Sequence, residues 1–482
     1  MKHPSTEPAG STDTDRARRC EEAHDEGSRA AVRPLSEDQA RRIPLSSSAG
    51  NEHGLELRQF RGGKPFIASF CPNPACREHR RGAEEDGKPE GRSVGGERVD
   101  AWVTPGRRRR GRRGEFERPR WYIRWGFYRN SCFGRIQRYR CLGCEVCFSE
   151  MSFSIDYQVK RRLDYRAVDL QVSEGSGVRA ISRALAASTS SVENRLARLA
   201  RSSLAVQARL DRELSHTEDL AFDGFRSFAV SQHAPCDITI LVGDESEYLY
   251  YFDYAPLRRG GTMSAAQRRS RERFERLMRA SKQAVQDSAA RVYDYIVATT
   301  ALPREEGATP RRLSSDRHYA YREAWAKHAA IRHLAARGWL QRELVSSRRI
   351  RDRHNPLRPV NYFDREIRKD MAEHRRETVC FARRPVSMLW RFAIYAARHN
   401  LHKRRRIRGN AHVGAAEVVG ESHAVAAGVD AATVAGAQIR RVTERPFLSR
   451  EKLSAFAELL WRAEIPTPPH ARYAKLPAYA LV

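Results

Sequence analysis

Long apolar runs are absent from this chain of 482 residues: no stretch approaches the roughly 18 apolar residues of a membrane-spanning helix. The polar N-terminus likewise does not resemble a secretory signal peptide. Both absences lead to the expectation of a soluble, cytoplasmic protein. Cysteine is scarce, nine residues in all, which is too few for a disulfide scaffold. Six of the nine fall between Cys71 and Cys147, and such clustering favours metal over disulfide chemistry. Acidic residues are in deficit, 59 Asp and Glu against 88 Lys and Arg, for a net charge of +29 and a pI near 10.3. A surface this basic is expected to meet a polyanion, with nucleic acid as the default partner.

What is present divides along the chain. A hydrophobic fraction of 40% suffices for at least one sizeable core, and the length fits two to four domains. Residues 1–60 carry no apolar period and are expected to be a disordered lead-in. Residues 61–155 form a small cysteine-bearing domain with a basic insertion at about 78–119, whose run Arg107–Arg113 is suited to tracking phosphates. Residues 156–210 are helical with a break in the middle. From 215 to 405 the pattern is that of an α/β core. Period two marks strands at Ile238, Ile240 and Val242 and again at Tyr248, Tyr250, Phe252 and Tyr254. After them Ser264 to about Val297 reads as one long basic helix, Arg317 to about Ser346 as more helix, and Val386–His399 as a strong amphipathic helix. Residues 406–482 read as a tail of unassigned role with one amphipathic segment near Leu448–Ala463.

Cys71 and Cys76 in CPNPAC, with Cys141 and Cys144 in CLGC, make two half-sites that can close a tetrahedral Zn²⁺ shell, a structural element and not a catalyst. Cys132 and Cys147 are alternatives for one ligand. In GVRAISRALAASTSSVENRLARLAR, Ile181 and Leu185 form one helical stripe and Val192, Leu196 and Leu199 another, with Ser188–Ser191 able to cap the second helix. Two short helices joined by a tight turn fit a helix-turn-helix, with Asn194, Arg195 and Arg198 pointing outward to DNA. A helical hairpin used for packing fits the same pattern.

Three carboxylates stand out. Asp223 lies in LAFDGF at the start of the strand series, and Asp316 closes RRLSSD. Asp364 lies in NYFDREIRKDM, where Phe363, Ile367 and Met371 form an apolar stripe. Carboxylates from separate elements can converge on two Mg²⁺ or Mn²⁺ ions, the chemistry of phosphodiester displacement. Arg365, Arg368, Lys369, Arg375 and Arg376 beside the third acid would hold phosphates, and His318 would help position DNA.

The order of RYRCLGCEVCFS, the helical break, LAFDGF, LSSDRHYAY and DREIRKDMAEHRRETVCF resembles bacterial insertion-sequence transposases with an RNase H-like DDE core, over roughly residues 65–405. The resemblance implies a zinc ribbon and a helix-turn-helix ahead of a mixed sheet flanked by helices. It further implies Asp223, Asp316 and Asp364 as ligands of catalytic Mg²⁺, DNA ends and target duplex as partners, a homo-oligomer on DNA and a place at the nucleoid. The family's third acid is usually Glu, and Glu366 is the alternative to Asp364. The rival expectations are a non-catalytic DNA-binding regulator, or decayed transposase, and a nuclease without a transfer step.

Overall fold

A computed structural model describes residues 66–79, 121–300, 309–346, 348–352, 354–375, 380, 382, 384–405 and 421–446. All belong to one compact unit that begins at Lys64. The expectations for residues 1–60, Arg107–Arg113, Arg376 and the segment 448–463 fall outside the described residues. Among those described, no helix is long and apolar enough to cross a membrane.

The chain first builds a three-stranded antiparallel sheet in the order β1 (Tyr122–Asn130), β2 (Gly134–Cys141), β3 (Cys147–Ser149). A register shift between Arg124 and Phe127 marks a bulge, and Gly126 there takes φ 74°, a left-handed conformation suited to glycine. Ala68, Tyr122, Tyr139 and Phe148 form a small core around the buried cysteines.

The helical segment follows as three helices, α1 (Tyr165–Ser173), α2 (Val178–Ala184) and α3 (Thr189–Leu210). It therefore breaks twice and not once. The added break falls at Gly175, whose φ is 77° and where a Cβ would sit 2.6 Å from the Asp370 carbonyl oxygen. At the expected break, the Ser188 side chain caps α3 by accepting from the Ser191 amide.

The main sheet has five strands: β4 (Leu220–Phe228), β5 (Pro235–Gly243), β6 (Leu249–Pro256), β7 (Arg311–Asp316) and β8 (Leu340–Val345). Their order is β6-β5-β4-β7-β8, with β4 to β6 an antiparallel meander and β7 and β8 joined in parallel to β4. Between β6 and β7 lie α4 (Ala265–Leu277) and α5 (Ala284–Thr299), so the single long helix expected from Ser264 is two. The residues of α4 are mostly exposed, whereas α5 buries Ala289, Val292, Tyr293 and Ile296, and the chain turns between them with the Arg258 guanidinium satisfying the Ala280 carbonyl at 2.6 Å. Between β7 and β8 lie α6 (Tyr319–Lys327) and α7 (Ala329–Ala336). Residues 340–345, expected as helix, are instead the edge strand β8, begun after Gly338 turns left-handed at φ 72°.

The helices α8 (Arg358–Asp370), α9 (Pro385–His402), α10 (His423–Ala426) and α11 (Ala431–Thr443) complete the fold. One face of the sheet, through Ala221, Phe225, Ile238 and Ile240, shares a core with α1, α3, α8 and α9. The other, through Leu220, Phe222, Leu241 and Leu313, packs with α5, α6 and α7. The result is a mixed α/β sheet with helices on both faces. The three helices after the small sheet thus belong to the same core as the sheet.

The expected tail also returns to this core. The Arg441 guanidinium is fully buried and grips the Asp169 carboxylate of α1 through two bonds of 2.7 and 2.6 Å. The Ile155 amide donates to the Thr443 carbonyl at 2.9 Å, tying the segment after the small sheet to α11.

Candidate acidic site and cysteine cluster

Register places the carboxylates. Ala221 of β4 pairs with Ser314 of β7 in parallel, so Asp223 and Asp316, two residues further along each strand, are neighbours on the same face. That face carries Ala221 and Phe225, the one on which α8 packs against β4 and β5. Phe363, Ile367 and Met371 of the α8 segment are all fully buried, which holds the helix in one rotation. Burying side chains of this size stabilises by about 1.5–3 kcal/mol each. Asp364 follows Phe363 and is electrostatically coupled to Asp223.

The Asp223 carboxylate accepts from the Gly224 amide at 2.7 Å and from the Tyr321 hydroxyl at 3.4 Å. Asp316 accepts from the His318 amide at 2.8 Å, at the start of α6. The Asp364 Oδ1 is out of solvent and has no hydrogen-bond partner among the described residues. Burial, and next the charge of Asp316, push Asp223 up to about 7. Burial, and next the charge of Asp223, push Asp364 up to about 8, with Arg368 opposing.

A fourth acid is missing from the sequence reading. Asp237 of β5 is buried on the opposite face, where it lies over Gly224, and a methyl group at position 224 would overlap its carboxylate. Burial raises it, while Arg226 at 3.2 Å and His318 pull it down. An aspartate at the head of an apolar strand reads as a turn residue; its signal is the glycine directly beside it, visible only once the strands are paired. Tyr321, within LSSDRHYAY, is a second residue of the site that pattern alone does not single out.

The remaining side chains of α8 divide by direction. Glu366 is buried and bound to Lys403, with Lys369 at 3.4 Å and Arg365 at 3.7 Å, and Lys403 also reaches Asp370 at 3.2 Å. It belongs to an ion cluster with α9. Arg368 lies 4.5 Å from the centre of the Phe225 ring and donates to the His374 carbonyl. Arg365 and Lys369 are exposed, as is Arg375, which donates to the Lys369 carbonyl. The Nδ1 of His318 is buried and has no hydrogen-bond partner among the described residues, and its ring lies 5.2 Å from Tyr321.

Of the three residues expected to point outward from α3, Arg195 does not, and Asn194 and Arg198 are half-buried. Arg195 is buried and donates to the Arg161 carbonyl and to the Asn194 side chain. Arg198 donates to the Ile155 and Tyr157 carbonyls, 2.8 Å each, and to Asn194 at 2.9 Å. The physical reason is that α3 packs on α1, α9 and α11 together, leaving little free face. These arginines satisfy carbonyls of the segment leading from the small sheet.

The cysteines form the tightest constellation. Cys71, Cys76, Cys141 and Cys144 have sulfurs all within 4.8 Å of one another. The Cys71–Cys144 and Cys76–Cys141 separations are 3.6 and 3.8 Å. A tetrahedron with Zn–S bonds of about 2.3 Å has edges of about 3.8 Å, so the four thiols fit a structural zinc ion. Cys132 donates to the Lys160 carbonyl at 2.9 Å and Cys147 is exposed on β3, so neither substitutes as a ligand. Among the described residues this is the one group of three or more such side chains drawn so close. The carboxylates of the acidic site stand further apart.

No protein-family model and no curated protein matches the chain.

Proposed function

We propose that the chain is a DDE-type DNA transposase, with an RNase H-like core behind a zinc ribbon, and that Asp223, Asp316 and Asp364 hold its Mg²⁺ or Mn²⁺ ions. The observation that carries this reading is the register of Asp223 and Asp316 on adjoining parallel strands, beneath the helix that bears Asp364. It is the arrangement the family resemblance implies: an acid on the first core strand, one at the end of a later strand, one on a late helix.

The donor set fits divalent ions. Its oxygens are hard ligands, Asp364 Oδ1 is buried and unsatisfied, and both Asp223 and Asp364 are raised by burial and by neighbouring acids. Two ions about 3.5–4 Å apart need outer ligands further apart than a single ion does, which suits carboxylates more widely spaced than the thiols. When bound, such ions polarise the attacking and leaving oxygens of a phosphodiester. The chain's own part is positional. Tyr321 and the Gly224 amide fix the rotamer of Asp223, the start of α6 fixes Asp316, and Arg368 offers a positive charge beside Asp364. Exposed Arg365 is available to a DNA phosphate.

The test uses linear DNA carrying the sequences that flank the gene, with a supercoiled target plasmid. Asp223→Ala, Asp316→Ala and Asp364→Ala should each abolish cleavage and joining, whereas Glu366→Gln, in the ion cluster with Lys403, should keep both. Cleavage without joining identifies a nuclease. Full activity of Asp223→Ala overturns the proposed mechanism.

A further inference from the structure

Exposed large apolar residues are unevenly spread: Ile123, Trp125, Phe127, Leu142 and Val146 all belong to the small cysteine-bearing sheet and its turn. Trp125 is 46% exposed and Ile123 43%; Ile123 pairs with Arg140, and Trp125 stands in the bulge between Arg124 and Phe127. The outer face is defined by register. Ile123 pairs with Arg140 and Tyr128 with Ile136, and Arg138 lies between those partners on β2, so these side chains look away from the core formed by Tyr122, Tyr139 and Phe148, while Arg124, Arg129 and Arg135 alternate to the other side. Arginines lie on the aromatic rings of that face, Arg140 at 4.7 Å from the Trp125 centroid and Arg138 at 5.5 Å from that of Tyr128. No Asp or Glu occurs from Tyr122 to Cys141, against Arg124, Arg129, Arg135, Arg138 and Arg140. The nearest acid, Glu145, pairs with Arg140 at 2.8 Å.

We propose that this outer face binds single-stranded DNA, stacking unpaired bases on Trp125 and Tyr128 while Arg138 and Arg140 meet the phosphates. A duplex keeps its bases stacked on one another and offers the aromatics no ring face. An unpaired strand presents ring faces to the aromatics and phosphates to the guanidinium groups together. An apolar protein partner would offer Arg138 and Arg140 of this face no counter-charge beyond Glu145. The choice of DNA over RNA rests on the transposase reading, whose substrate is DNA. Binding itself uses no residue of the acidic site.

The test is fluorescence anisotropy with the full-length, zinc-retaining protein and no added divalent ions. The probes are labelled dT20, rU20 and a 20-base-pair duplex. Trp125→Ala should weaken dT20 binding about tenfold and change duplex binding less than twofold, and Trp125→Phe should restore most of the loss. Arg138→Ala with Arg140→Ala should weaken both DNAs and lower the log–log salt slope for dT20 by about 1.4. Unchanged zinc content and thermal transition show that each variant is folded; should Trp125→Ala fail this check, Trp125→Tyr replaces it, with near-normal dT20 binding expected. Equal loss on dT20 and duplex overturns the stacking proposal, and so does a Trp125→Ala variant that binds as wild type. Binding of rU20 more than tenfold tighter than dT20 overturns the choice of DNA. A Trp125→Ala variant that instead loses self-association, read by sedimentation, reassigns the face to contacts between copies. Asp223→Ala should bind dT20 normally, so failure of the catalytic reading and failure of this one are distinguishable.

Discussion

Replacing Asp364 with Asn should make the protein more stable at pH 8 while ending the proposed DNA cleavage. The carboxyl titrates at about 8 in the folded chain against an ordinary value of 3.8, because burial and Asp223 disfavour its charge. A folded-state value above the unfolded one means the folded chain holds the proton more tightly. The penalty is therefore absent below about pH 4, grows as pH rises, and is complete once pH passes about 8. At 1.36 kcal/mol per tenfold, the full gap corresponds to at most about 6 kcal/mol. Part of this is shared with Asp223, which can take up the proton in its place, and Asn still carries an amide into a partly buried site. The expected net gain is about 1–3 kcal/mol at pH 8. Urea denaturation without added divalent ions, run at pH 8 and pH 4.5, should show the gain at the first pH and little at the second. Added Mg²⁺ should raise the wild-type midpoint at pH 8 by mass action and leave the Asn variant nearly unmoved. An Asn variant less stable than wild type at pH 8 would refute the claim that uncompensated charge is stored at this site.

Three further outcomes are expected. The purified chain should carry about one zinc, and a strong chelator or Cys141→Ser should unfold the small sheet, seen as loss of near-ultraviolet signal from Trp121 and Tyr139; a metal-free protein with an unchanged spectrum contradicts the four-thiol assignment. Arg195→Ala with Arg198→Ala should lower the denaturation midpoint, each variant leaving buried carbonyls unsatisfied at about 1–3 kcal/mol, and should not alter the choice between specific and random duplex. A selective loss for specific duplex, with stability intact, would return α3 to the role of groove reader. Arg441→Ala should cost about 3–5 kcal/mol by leaving the Asp169 carboxylate buried without its bidentate partner, measured by the same denaturation; a change under about 1 kcal/mol means Arg398 alone suffices.

The meander β4 to β6 was legible because alternation of Ile238, Ile240 and Val242 reports one buried face. The rotation of α8 was legible for a similar reason, since Phe363, Ile367 and Met371 leave one orientation open. Strand β8 was not, because an edge strand buries only its ends, Leu340 and Val345, and its middle reads as polar helix. The inward turn of Arg195 and Arg198 was hidden for the opposite reason. A helical wheel assigns charge to solvent, but α3 is surrounded by α1, α9 and α11, and its arginines end on backbone carbonyls contributed by residues 155–161. Asp237 needed the pairing of β4 with β5 to place it over Gly224. The four cysteines were legible by residue type, but their closeness across the gap from Cys76 to Cys141 was a property of the fold.

The grip of Arg441 on Asp169 joins residues 272 positions apart, and this sets a timetable for synthesis. At about 5–20 residues per second, α1 leaves the ribosome roughly 15–55 s before its partner arrives. Until α9 emerges the nascent helix exposes Val168 and Val172, which are fully buried in the finished protein, and Asp169 meets Arg398 of α9 before it meets Arg441. A chain in this state has its sheet strands made but its helical layer unsealed, and a holdase that covers apolar helix faces would find its target there. The bidentate grip on Asp169 thus waits for α11, and a chain that stops shortly before Arg441 contains all three acids of the proposed site yet holds Asp169 by Arg398 alone.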